Sequence, residues 1–335
     1  MEAFKKRLLA LDGRAAAQLV ALYGPIWERL EGDIVTLMEQ VLDQQMSFQQ
    51  VMRLRRLEEI QSQVTRELAR FGMAAGGQIT GAQQQAVGLA VQSARTTVDA
   101  ALPRGIDTQL LAQVGIQWNR LPAEALASFA GIAGDGAPLS NLLAPLGAEA
   151  RDGILQGLAE GIALGKSPRE TARLVRNRFG MPLTRALTIS RTETLRAFRE
   201  ATRQQYQANP NVVKGYRRTS AKDSRVCMAC IALDGKLYRV DEPLDNHPNC
   251  RCALVPEVIS YRDLGLNIPD DDAQPETAGD WCKAQPEETQ RQMMGNARFE
   301  AWQDGEIDLE DMVKISHNNT WGDAAVMKPL QESLR

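Results

Sequence analysis

The residues best equipped for chemistry lie close together: Cys227-x2-Cys230, sixteen further residues, then His247-Pro248-Asn249-Cys250-Arg251-Cys252. A Cys-x2-Cys pair sets two thiolates on one tight turn at the separation a tetrahedral Zn²⁺ requires. A second pair some twenty residues on, carried across a hairpin, completes a set of four. Thiolate and imidazole donors suit zinc ahead of iron or copper. Five donors compete for four places: Cys227, Cys230 and Cys250, with either His247 or Cys252 as the fourth. The competing readings are two disulfides, buried thiols acting as small hydrophobes, or a His247 that only serves the turn before Pro248. A catalytic zinc would keep an open position and a nearby base, with Asp223, Asp234 and Asp245 the neighbours in sequence. A full ligand set favours a closed, structural site instead. A Cys–His nucleophile crowded by three more thiols is disfavoured.

The rest of the chain must position this cluster. Five cysteines in 335 residues, with Cys282 standing apart, do not make a disulfide scaffold. Apolar residues make up 44% and aromatics only 5%; a composition rich in Ala, Leu, Gln and Arg favours helices. Ile26, Leu30, Ile34, Leu37 and Val41 follow helical spacing, as do Leu57, Ile60, Val64, Leu68 and Phe71. Breaks are expected at Gly24-Pro25, at Gly76-Gly77 and at Leu102 to Gly105. Three prolines between Leu121 and Leu146 predict short helices joined by turns. A helix over Ala150–Leu164 should end with Gly165 as its C′ residue. Ser167-Pro168-Arg169-Glu170 is a capping box with proline in the first turn, and a long helix should follow over Leu183–Ala208. The character then changes: Val212–Arg218, Lys236–Val240 and Ala253–Val258 are short strands separated by turn residues. Pro269–Gly279 reads as an acidic linker, and Pro286–Arg335 as a helical tail with Trp302 and Trp321 free to dock. The predicted fold is mainly α: an N-terminal helical bundle, a small α+β zinc-binding module, and a helical tail.

No apolar run of eighteen residues is present, so no membrane span is expected. Met1 to Leu11 carries Lys5, Lys6 and Arg7 without an apolar h-region and reads as the start of an amphipathic helix, which implies a protein made in the cytoplasm. The net charge of −3 conceals an asymmetry. Residues 166–225 hold 15 Lys and Arg against 4 Asp and Glu, whereas residues 241–335 hold 8 against 20. Such a pattern implies contact with a polyanion, or one segment packing on the other. Arg185, Arg196, Arg199, Arg203, Lys214, Arg217, Arg218, Lys222 and Arg225 are the candidates for facing DNA.

Five elements in order, Ile189-Ser190-Arg191-Thr192-Glu193-Thr194, Lys214 to Thr219, Asp223 to Cys230, Leu233-Asp234-Gly235 and His247 to Cys252, together resemble the phage Mu F-like minor head proteins. The resemblance is clearest over about Leu146 to Val258. It is weaker over Trp118 to Leu146 and in the tail around Gln290 to Trp302. It departs from the family at Arg217, where an aromatic is common. The resemblance implies a structural component of a tailed-phage head or prophage, assembled in the host cytoplasm. Such a protein would lie inside the capsid near the portal, with the portal and other head proteins as partners. It also implies roles in head assembly and in DNA packaging or ejection, with non-specific contact to double-stranded DNA and no membrane. The implied division is a head-interaction domain over 1–148, the head morphogenesis module over 149–260, and the linker and tail over 261–335. Matching positions make Cys227, Cys230, His247, Cys250 and Cys252 the metal cluster. Arg191, Thr192 and Glu193 match a motif without a stated role; two apart on a helix, Arg191 and Glu193 point to different faces and are expected to tie the helix to the cysteine module. The alternatives are a zinc-dependent nucleic-acid-binding protein and a metal- or thiol-dependent transferase. Against the first stand sparse aromatics and no recognition-helix arrangement. Against the second stands a chain with two histidines, of which His317 lies in a polar tail stretch.

Overall fold

The computed structural model describes residues 2–223, 225–245, 247–269, 276–318 and 321–334. It is mainly helical, as composition implies. The long helices are α1 (Glu2–Asp43), α2 (Arg55–Ala101), α3 (Leu146–Ala163), α4 (Pro168–Phe179) and α5 (Met181–Gln207). The chain divides into two compact units, and the division falls inside α1, α2 and α5.

One unit comprises residues 9–82 and 131–194. Its core is the predicted aliphatic stripe: Leu30, Ile34 and Leu37 from α1, and Leu57, Val64 and Leu68 from α2, are all buried. Two expected breaks do not occur. α1 runs through Pro25, because Tyr23, Ile26 and Trp27 are buried around it, and their packing outweighs the one backbone bond that proline removes. Tyr23 also meets Phe71 and Phe179, with ring centroids 5.0 and 5.3 Å away. α2 likewise runs through Gly76-Gly77, where Leu143 Cδ1 lies 3.5 Å from the position a Gly76 Cβ would take. The capping box at Ser167 forms as predicted, and Gly165 adopts φ +58° after α3. α3 packs on α4 through a stripe of small residues. At Gly161 a Cβ would lie 2.3 Å from Thr171 Oγ1, so the approach requires glycine.

The other unit comprises residues 2–8, 83–130 and 195–334. Its three-stranded antiparallel sheet has the order β2 (Leu237–Tyr238), β1 (Val213–Thr219), β3 (Ala253–Val258), at the predicted positions. Tyr216 pairs with Tyr238, and Arg218 with Leu254. The two tyrosine rings stack at 5.4 Å. At Gly215 a Cβ would stand 2.7 Å from the Tyr238 carbonyl oxygen, so the narrow β1–β2 pairing requires glycine. Asn209 closes the end of α5 onto the preceding loop, donating to Asn119 O at 2.8 Å and accepting from Asn119 N at 2.6 Å.

The tail departs from the helical expectation. Helices α7 (Ala278–Lys283), α8 (Glu287–Met294) and α9 (Asn296–Gln303) form, but a hairpin of β4 (Val313–Asn318) and β5 (Gly322–Met327) follows. Val313, Ile315 and Val326 are β-branched strand formers, and the pairing of the two strands overrides the helical preference of Ala324 and Ala325. Of the expected linker over 269–279, residues 270–275 lie outside the described residues, and Thr277 already caps α7. Among the described residues no helix is long and apolar enough to cross a membrane.

Candidate metal centre

The five sequence-selected donors converge in the second unit. Cys227 is the N-cap of a short helix, α6 (Met228–Ala232), and its Sγ accepts the Cys230 N–H at 3.4 Å. That first turn sets Cys230 beside Cys227, and a helix N-terminus favours thiolate. The second pair comes from the turn before β3. Asn249 takes φ +64°, a left-handed conformation asparagine tolerates, and Cys250 N–H donates to His247 O at 3.1 Å. The turn carries the imidazole and Cys250 to the first pair. Cys230, Cys250 and Cys252 are buried, Cys227 is partly buried, and all are free thiols, so the disulfide reading is not realised.

The donor atoms form two groups that share Cys230. One is Cys227, Cys230 and His247; the other is Cys230, Cys250 and Cys252; within each, all atoms lie within 4.8 Å. His247 Nε2 lies 3.1 Å from Cys227 Sγ and 3.0 Å from Cys230 Sγ, and Cys230 Sγ lies 3.9 Å from Cys250 Sγ. A tetrahedral zinc needs sulfur–sulfur edges of about 3.8 Å and sulfur–nitrogen edges of about 3.6 Å, from its ordinary bond lengths. These three edges depart from the tetrahedral values by about 0.1–0.6 Å, and because the two groups share only Cys230, a four-donor shell draws its fourth ligand in from the other group.

Cys230 donates to its neighbours, which pushes its own thiol up. The bond from Cys230 holds Cys227 down at about 4, against burial and with help from His247. The same donor holds Cys250 well below the ordinary thiol range.

Sequence reasoning missed what surrounds the thiols. Arg218, placed among the DNA-facing candidates, is fully buried. Its Nε donates to Cys252 Sγ at 3.3 Å, its Nη2 to Cys230 Sγ at 3.3 Å, and its Nη1 to Asp245 O at 2.9 Å. Arg199, another candidate, is buried on α5 and its Nη1 donates to the Cys250 and Cys252 carbonyls at 3.0 and 3.3 Å. Its Nε and Nη2 are buried without a hydrogen-bond partner. Burial pushes its guanidinium pKa down, and the Cys250 and Cys252 charges oppose that. Arg203 is also buried, donating to Val240 O at 2.8 Å and pairing with Glu200. These three do not face outward. A buried guanidinium needs a counter-charge, and for Arg199 and Arg218 the thiols are what stands nearby. The periodicity held the signal: Arg218 is two residues from the inward Tyr216 on β1, and Arg199 shares a helical stripe with Leu195, Thr202 and Tyr206.

The other basic candidates are engaged at the surface: Arg217 with Glu257 at 2.8 Å, Lys214 with Asp263, Lys222 with Glu276, and Arg185 with Glu149 at 2.8 Å. Arg196 is partly buried. Arg225 is 69% exposed and 3.8 Å from Asp223. Three of these pairs join the basic stretch to residues 257–276, so the charge asymmetry is used in part by one segment packing on the other.

Arg191 does not reach the cysteine module; its Nε donates to Asp12 Oδ2 of α1 at 2.8 Å. Thr192 and Glu193 are buried on α5. His317 is exposed, 2.9 Å from Asp323. Residues 152–255 match the family model described as Phage Mu protein F like protein, in agreement with the resemblance carried by the five motifs. That stretch is about a third of the chain, and it contains all five donors and the buried Arg199, Arg203 and Arg218. No curated protein and no solved structure was found to match.

Proposed function

We propose that this chain is a structural minor head protein of a tailed phage or prophage, assembled in the host cytoplasm and built into the virion inside the capsid near the portal. The family match over residues 152–255 carries this reading. In it, residues 1–148 contact the portal and other head proteins, 149–260 are the head morphogenesis module, and 261–335 are linker and tail. The expected outcome is that the protein co-purifies with heads and with portal, and that its loss yields defective heads. Its absence from particles, with normal heads when the gene is deleted, would overturn the proposal.

Zinc is the metal best suited to the cluster, held by three cysteines and one further donor, and it would act as a rigid cross-link between α6 and the turn before β3. A closed shell of this kind supports a non-catalytic role. So do the engagement of Arg191 with Asp12 and the burial of Glu193, which favour a structural part for that motif over a transferase site.

Contact with packaged DNA would fall to Arg225 and to Lys214, Arg217, Lys222 and Arg185, which already carry carboxylate partners. Phosphate would have to displace those partners, so the contact would be weak, sequence-independent and steeply salt-dependent. Retention of the purified chain on duplex DNA should vanish as salt rises; retention that does not change with salt would exclude this part of the reading.

A further inference from the structure

Resting on the reading of the cluster as a metal site, we infer that His247 is the fourth ligand, and that Arg218 holds Cys252 outside the coordination shell. Two independent observations lead there. The first is the orientation of the imidazole. His247 Nδ1 lies 2.8 Å from Pro248 O, a carbonyl that can only accept, so Nδ1 donates there and Nε2 is the nitrogen turned toward Cys227 and Cys230, at 3.1 and 3.0 Å. A backbone carbonyl fixing one ring nitrogen so that the other can bind is the usual support of a metal-ligating histidine.

The second observation is the guanidinium on the other side of the cluster. The group of Cys230, Cys250 and Cys252 also has three suitable donors, but Arg218 lies against all three sulfurs at 3.3, 3.7 and 3.3 Å. Cys230 and Cys250 would serve a site on either side; what differs is the remaining donor. Cys252 already accepts from Arg218 Nε at 3.3 Å, whereas His247 turns Nε2 toward Cys227 and Cys230. The metal therefore belongs on the His247 side, with Cys250, 3.9 Å from Cys230, closing on that trio to complete the set.

Arg199 and Arg218 are the buried cations that face the thiolate charge of the cluster. Arg218 is then a positioning residue: it closes one face of the cluster and decides which of five donors bind.

Zinc X-ray absorption on the full chain, loaded with zinc and freed of excess, tests this directly. Three sulfurs at about 2.3 Å and one nitrogen at about 2.0 Å are expected, with one zinc per chain by native mass spectrometry. Cys252→Ser should keep one zinc and the same sulfur count. His247→Cys should raise the count to four. Arg218→Gln should free Cys252 to compete and raise the average count above three, an effect that a role in folding alone would not produce. Four sulfurs in the wild-type chain, or loss of zinc in Cys252→Ser with retention in His247→Ala, would overturn the assignment while leaving a metal site. A wild-type chain that retains no zinc would instead overturn the metal reading itself.

Discussion

In the unit built from residues 9–82 and 131–194, most buried residues are apolar, with Asp12, Thr171, Ser190, Thr192, Glu193 and Thr194 the polar exceptions, and the tightest contact is made by removing a side chain, at Gly161 against Thr171. In the unit that holds the cysteines, Tyr206, Tyr216 and Tyr238 share a core with Cys230, Cys250 and Cys252, and two arginines are buried beside them. The first is held by area and shape, which tolerate loss of any one contact. The second is held by a few charges and donors that must be satisfied together, so it should be much more sensitive to single changes. Around the cysteines regular structure is sparse, a three-stranded sheet of short strands and one five-residue helix, and a metal cross-link there would supply what a larger core supplies elsewhere.

The largest expected effect follows from that contrast. Stripping the metal, or Cys227→Ser, should destabilise residues 213–258 by several kcal/mol or more. Hydrogen exchange should show protection lost there and kept in residues 30–70. Equal loss in both regions would erase the distinction. Next comes Arg218→Met, which removes one partner from a buried charged cluster and should cost about 3–5 kcal/mol, measured by denaturant unfolding. Gly161→Val probes the apolar unit by overpacking and should cost about 1–3 kcal/mol, with no change in metal content.

The smallest effect concerns Asp223. Arg251 donates twice to its carboxylate at 2.6 Å and holds its pKa down at about 2. A depressed carboxylate stabilises the fold above its unfolded value, about 3.9, and that contribution is lost as pH falls from about 4 toward 2. Because Asp223 remains 39% exposed, solvent screening limits the contribution to under about 1 kcal/mol. Asp223→Asn should flatten the acid limb of the stability curve slightly, and an unchanged limb would remove the claim.

The same contrast governs what could be read from sequence. Strand positions were legible because Tyr and Val alternate between turn residues, and the five donors because Cys spacing is rare and specific. The continuous helices were not, since Pro25 and the Gly76-Gly77 pair act locally as breaks and are overridden only by packing from distant residues. Arg199 and Arg218 were misread for a related reason. An arginine looks the same in sequence whether it meets phosphate or a thiol, and the groups that decide the matter lie 12 and 34 positions from Arg218 and 51 from Arg199. The hairpin at 313–327 was hidden despite the alternation of Val313 and Ile315 with polar residues, because Ala324-Ala325 and the helical composition around it favour helix.

Helix α6 has two loaded sides. One carries Cys227 and Cys230, and the other sends Met228 and Ile231 into the apolar cluster of Cys282, Met294, Phe299 and Met312, against which Trp281 and Trp302 pack. Five residues cannot loosen on one side and stay fixed on the other. The two indoles are therefore built-in optical gauges of the thiol cluster, and their emission should shift as the ion leaves.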